Sequence, residues 1–321
     1  MTTPKSPLIE VAIFIPLAVL GSWTIFGVLG GPGRWQVVQW VMFWPAIAGF
    51  GVAWLFRREP PRAAGFEYTG ALPWLAAFFY PLAMVAAEVG LAYALRLDIR
   101  FQPEAVGGLN GFEEKLQRTI FVPLTILFIA LAYRWRWPER VRDALPPRLR
   151  LLHHGFRALL FVPALWIYHF GQLAPPGSYG EELGWRGYLV RRLRETPVRA
   201  ALISGAVWAA FHAPVLIGHN PLRTAAGFAA IFAGGLIFCA LYLWSGSVWP
   251  CAAMHFTWNE WNPFFLGDPY GDGQGMFGGA SWIFNGEGVF GMALNLLVGA
   301  VLLRLRVPRE DVTLTGVTRT P

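Results

Sequence analysis

Apolar runs about as long as a lipid bilayer is thick recur along this chain, separated by short polar segments. A helix of about 20 apolar residues crosses the ~30 Å hydrocarbon layer. No water inside that layer satisfies a backbone amide, so a crossing segment closes its hydrogen bonds within itself, as a helix does. The runs read as Leu8–Leu29, Gln36–Phe56, Ala71–Leu95, Thr119–Tyr133, Arg157–Leu173, Val198–Ile217, Thr224–Trp244, Val248–Leu266 and Gly286–Leu305. A further short amphipathic helix is expected at Glu181–Leu193, either a full span whose start lies in the preceding loop or a half-buried segment. The expected fold class is all-α, a polytopic transmembrane bundle of roughly 8–10 membrane helices.

Charge supports the same reading. Only 14% of residues are charged, against roughly a quarter in soluble domains. The net charge of +7 would also suit a nucleic-acid partner. The arginines, however, cluster in loops between the runs: Arg57, Arg58 and Arg62; six from Arg134 to Arg150; Arg191, Arg192, Arg194 and Arg199; Arg304, Arg306 and Arg309. That is the positive-inside pattern, so membrane lipids are the expected surroundings and no nucleic acid is expected. All four clusters share one side only if the helix at Glu181 crosses, which puts both termini inside. The loop with Arg96, Arg100, Lys115 and Arg118 then lies outside, offset by Asp98, Glu104, Glu113 and Glu114. Two cysteines, Cys239 and Cys251, make no disulfide framework. The first run is long enough to span and lacks the basic flank of a cleavable signal. Arginine- and alanine-rich composition points to a bacterial cytoplasmic membrane.

Polar groups inside a span are costly and need a partner or a task. Three places break the apolar pattern, all in the second half. In Glu181-Glu182-Leu183-Gly184-Trp185-Arg186, Arg186 follows Glu182 by four residues and shares its helix face, which suits an ion pair. Glu181 points about 100° away and has no such cation, so it is available as a base. Solvated acids at a helix N-terminus would look the same. In Trp208-Ala209-Ala210-Phe211-His212 a histidine ends an apolar run, where a polar link between helices is the alternative to catalysis. In His255-Phe256-Thr257-Trp258-Asn259, His255 and Asn259 share a face and can aim donors into one cavity. Together these form an acid–base and oxyanion set: Glu and His take a proton from water, and His and Asn stabilise a tetrahedral oxyanion. The set fits amide hydrolysis without a protein nucleophile.

These motifs, in type, spacing and order, resemble those of the CPBP family, the CAAX-protease and bacteriocin-processing (abortive-infection) intramembrane proteases. The resemblance covers roughly Gly180 to Leu266. It implies an intramembrane endopeptidase with Glu181 and His212 activating water, His255 and Asn259 forming the oxyanion hole, and Glu182 and Arg186 as a structural ion pair. Trp208 stands where the family usually has Phe and is expected to line the cavity beside His212. The substrate would be a peptide or protein in or near the membrane. No cofactor is expected; zinc on Glu181, His212 and His255 is the alternative, though the helices lack the paired-histidine metal face of a zincin. The chain divides into N-terminal, family-variable membrane helices (1–155), a catalytic membrane core (156–306) and a polar tail (307–321). Two other readings are a non-catalytic scaffold or immunity protein on the same fold, and a proton-coupled transporter, which the confinement of polar groups to one half disfavours. Glu88 is expected to pair with an arginine or to line the cavity, with a structural role favoured. The glycine-rich loop Gly267–Gly275 is expected to be a flexible lid or gate rather than a calcium site, and His153, His154, His169 and His219 are expected to be incidental.

Overall fold

The computed structural model describes residues 7–29, 35–66, 69–117, 120, 146, 177–268 and 273–305. The described chain is a helix bundle, and the protein is an integral membrane protein. Among the described residues, five helices are long and apolar enough to cross a membrane: Pro7–Leu29, Val37–Arg57, Ala71–Ala94, Pro221–Ser245 and Trp282–Arg304. The expected runs Thr119–Tyr133 and Arg157–Leu173 lie outside the described residues, as do His153, His154 and His169.

We label the principal helices α1 (Pro7–Leu29), α2 (Trp35–Arg57) and α3 (Ala71–Ala94). Next come α4, made of Gly177–Glu182, a π-helical stretch Leu183–Val190 and a last turn Arg191–Leu193, and α5 (Pro197–Phe211). The remainder are α6 (Pro221–Ser245), α7 (Val248–Leu266) and α8 (Val289–Leu305). Helix α1 packs on α2, α3 on α7, and α6 on both α5 and α8.

Three sequence expectations change. The run Val198–Ile217 is not one helix: α5 ends at Phe211, and a short helix Ala213–Leu216 follows. Pro214 explains the break, since it has no N–H for the Ala210 carbonyl four residues back and is tolerated only in the first turn of the helix that follows. Past the break the Val215 N–H goes to the His212 carbonyl, and the Phe211 carbonyl accepts from the Trp23 indole N–H of α1, at 3.1 Å. The helix at Glu181 is neither half-buried nor amphipathic. Its described part runs from Gly177, and every residue from Gly180 to Val190 is buried. After α7, Phe277–Gly279 pairs antiparallel with Ile99–Phe101. Met276 is pinned as well, its N–H on the Phe264 carbonyl and its own carbonyl taking the Gln102 N–H. Within the expected lid, the Gln102 side chain donates to the Gln274 side chain at 3.0 Å and to the Gly275 carbonyl at 3.2 Å, so its latter part is anchored; residues 269–272 lie outside the described set.

Glycines set the depth of α4 against α2. A Cβ at Gly180 would lie 2.3 Å from the Phe43 Cα, and one at Gly184 2.4 Å from the Pro45 Cβ. Gly177 donates its N–H to the Gln39 side chain at 2.8 Å. Small residues three or four apart let two helix backbones approach closely. At the far end of α4, Arg192 pairs with Glu10 of α1 at 2.9 Å and with Glu59, while Arg191 also pairs with Glu59. Arg57 pairs with Glu10 too. Two of the arginine clusters read from the sequence thus meet at one end of the bundle through two carboxylates.

Candidate active site

The glycine contacts carry Glu181 and Glu182 into the interior, at the point where α4 widens into its π-helical stretch. Such stretches are frequent at functional sites. Both acids are fully buried. Glu181 Oε2 accepts a 2.6 Å hydrogen bond from the Trp208 indole N–H of α5. Its Oε1 has no hydrogen-bond partner among the described residues. Glu182 Oε1 accepts from Arg186 Nη1 at 3.0 Å and from His255 Nδ1 at 2.8 Å. Arg186 is itself fully buried, with its guanidinium carbon 4.7 Å from the ring centres of both Trp208 and Phe238.

The four-residue spacing of Glu182 and Arg186 therefore corresponds to a direct ion pair. The same carboxylate also orients His255, which lies far away in sequence on α7. With Nδ1 donating to Glu182, the Nε2 of His255 is the ring nitrogen left for other work.

Trp208 sits among all three motifs. Its ring meets His212 edge-on at 5.5 Å and His255 at 5.6 Å. Its backbone carbonyl accepts from His212 Nδ1 at 2.8 Å. In a neutral ring, that bond leaves His212 Nε2 as an acceptor, the form a general base needs. Glu181 and His212 do not hydrogen-bond to each other; each is tied to Trp208.

Glu181, Trp208, His212, His255 and Asn259 line one cavity of about 410 Å³. Glu182 and Arg186 do not line it and act from behind. Asn259 is the most accessible of the set, one helical turn beyond His255. The first half of the chain builds part of the wall, through Trp23 of α1, Met42 of α2 and Tyr80 of α3. The lining also includes Glu287 and Asn295, which the sequence reading passed over. Asn295 was detectable as a lone amide within the last apolar run. Glu287 accepts from the Trp258 indole at 3.2 Å.

Glu88 is fully buried on α3 and does not line this cavity, and among the described residues neither of its oxygens has a hydrogen-bond partner. The expected arginine partner is thus not found among the described residues, and the charge of Glu287 bears on it. His219 is half-buried in the loop before α6. Among the described residues, no three His, Cys, Asp or Glu side chains converge tightly enough to hold a metal ion.

Residues 157–261, roughly a third of the chain, match the family model described as Type II CAAX prenyl endopeptidase Rce1-like. The matched segment holds every motif residue described above. No curated protein matches the chain.

Proposed function

We propose that this chain is an intramembrane endopeptidase that hydrolyses a peptide bond of a membrane-associated substrate through a water activated by Glu181 and His212. Its Rce1-like segment already ties it to CAAX-type membrane proteases in general. The observation that carries the finer reading is the free Glu181 Oε1, a buried acceptor in the wall of the cavity shared with His212, His255 and Asn259.

In this reading a water lies between Glu181 Oε1 and His212 Nε2 and gives up a proton as its oxygen attacks the scissile carbonyl. The carbonyl oxygen gains the negative charge and receives hydrogen bonds from the Asn259 amide and from a proton on His255 Nε2. With protons on both ring nitrogens His255 is cationic, and the Glu182 carboxylate on its Nδ1 compensates that charge. Collapse breaks the C–N bond, and the leaving nitrogen takes the proton held by the Glu181–His212 pair. Products are a carboxylic acid and an amine, with one water consumed. The apolar cavity walls suit a lipidated or apolar peptide.

The unit we assign to catalysis is 156–306, framed by the wall-building helices of 1–155, with 307–321 as a tail. The host membrane would be a bacterial cytoplasmic membrane. The reaction needs no metal, so activity should survive dialysis against a chelator; loss with chelator and return with zinc would overturn that part.

The test is cleavage of a quenched-fluorescent, lipid-anchored peptide library by purified protein in nanodiscs, wild type beside Glu181→Gln. Loss of at least ~10²-fold in rate with an unchanged unfolding temperature is expected. Cleavage at the wild-type rate by Glu181→Gln would remove Glu181 from the chemistry. No cleavage by folded wild type would refute the peptidase reading.

A further inference from the structure

Thirteen buried side-chain polar atoms lack a hydrogen-bond partner among the described residues. Only two of them belong to residues lining the site cavity: Glu181 Oε1 and Asn295 Nδ2. The first is an acceptor, and the attacking water answers it. The second is a donor on α8, with nothing among the described residues to answer it.

Its environment shows a built arrangement. Asn295 is fully buried in the middle of an apolar helix. Its Oδ1 accepts from the Tyr80 hydroxyl of α3, which fixes the amide plane and leaves Nδ2 as the unused end. Tyr80 in turn stacks on Trp258 of α7, with ring centres 6.4 Å apart and planes 19° from parallel. Trp258 lies one residue before Asn259, so the clamp is tied to the helix that supplies the oxyanion donors. The neighbouring amide of Asn262, by contrast, is satisfied internally: it donates to Asn285 and accepts from the Gly286 N–H. A donor fixed by a neighbour and left unsatisfied in a membrane interior carries a desolvation penalty that a ligand acceptor would relieve.

The geometry points to Asn295 Nδ2 as a substrate-binding donor that receives a backbone carbonyl of the bound peptide, with Tyr80 holding it in register. A neutral carbonyl suits the site better than a carboxylate, because Asn295 is an uncharged donor and the carboxyls of Glu287 and Glu88 lie toward the same end. The site would thus hold an internal peptide bond of the substrate at a fixed distance from Glu181, and so choose which bond is cut. This inference rests on the peptidase reading, so its test separates binding from turnover.

Binding is measured as anisotropy of fluorescent palmitoylated peptides on the Glu181→Gln protein in nanodiscs. Turnover is measured separately on the Glu181-intact protein. Asn295→Leu should weaken binding about 10-fold and raise KM with kcat nearly unchanged. Tyr80→Phe, which frees the amide to rotate, should shift both the same way by less and guards against misfolding of the first variant. The deciding comparison replaces one peptide amide at a time by an E-alkene. At one position alone, the replacement should weaken binding to the Asn295-intact protein and cause no further loss in Asn295→Leu. If Asn295→Leu binds the peptides as tightly as its parent, or loses affinity equally with every alkene peptide, the assignment is wrong. Peptide binding without turnover by wild type would leave this site standing and sink the peptidase reading.

Discussion

Glu182 accepts from Arg186 and His255 through the same oxygen, and that geometry separates stability from catalysis. Removing one member of a fully buried ion pair costs about 3–5 kcal/mol, because the other charge is stranded. In Arg186→Met, Glu182 keeps His255 as a donor at 2.8 Å, so the loss should sit near the lower end, about 3 kcal/mol. In Glu182→Leu, Arg186 is left with Nε and Nη2 already unpartnered and only the Trp208 and Phe238 faces against it. The loss should approach about 5 kcal/mol. The double variant leaves neither charge and should be less destabilised than Glu182→Leu alone, a coupling of several kcal/mol. Activity should rank differently. Arg186→Met should retain much of the wild-type kcat at temperatures where it is folded, whereas Glu182→Leu and the double variant should lose it, since both release His255. Chemical unfolding in nanodiscs and turnover at matched folded fraction measure the two effects. Additive destabilisation in the double variant would refute the ion-pair argument. A wild-type kcat in folded Glu182→Leu would refute the orienting role.

Two further outcomes follow from the geometry. Trp208→Phe keeps an aromatic ring but removes the N–H that Glu181 accepts; a hydrogen bond to a charged group is worth about 1.5–3 kcal/mol, so kcat should fall roughly 10- to 150-fold with KM little changed, and an unchanged kcat would show that the bond does not position the base. At the arginine-rich end, burial pushes the Glu59 carboxyl up, but the hydrogen bonds and charges of Arg192 and Arg191 outweigh it and hold the group below its ordinary value of 4.5. A depressed folded value means that Glu59 stabilises the fold above pH 4.5 and loses that contribution as pH falls through the folded value. Glu59→Gln should therefore flatten the acid side of the stability–pH curve, and an identical acid slope would contradict the assignment.

The sequence by itself determined what depends on neighbours along the chain. Helices are legible because a lipid-facing backbone has to satisfy itself within one segment, and the apolar runs mark where that happens. The Glu182–Arg186 pair was legible for the same reason, since residues four apart on a helix share a face. His212, His255 and Asn259 stood out as polar residues in or beside apolar runs. Even a local misreading, the unbroken run Val198–Ile217, had its cause written in Pro214. What the tertiary structure decided is how segments far apart in sequence meet. Helix periodicity predicts no contact between Trp208 and Glu181, or between Glu182 and a histidine on α7. Those bonds exist because glycines at 177, 180 and 184 let α4 sink against α2, so that its acids reach the depth of α5 and α7. The first half of the chain looked generic because its contribution is wall and clamp, through Trp23, Met42 and Tyr80. Such roles arise from packing between helices, whose separation and depth are set by side chains on both partners at once, and a one-dimensional pattern carries only one partner at a time.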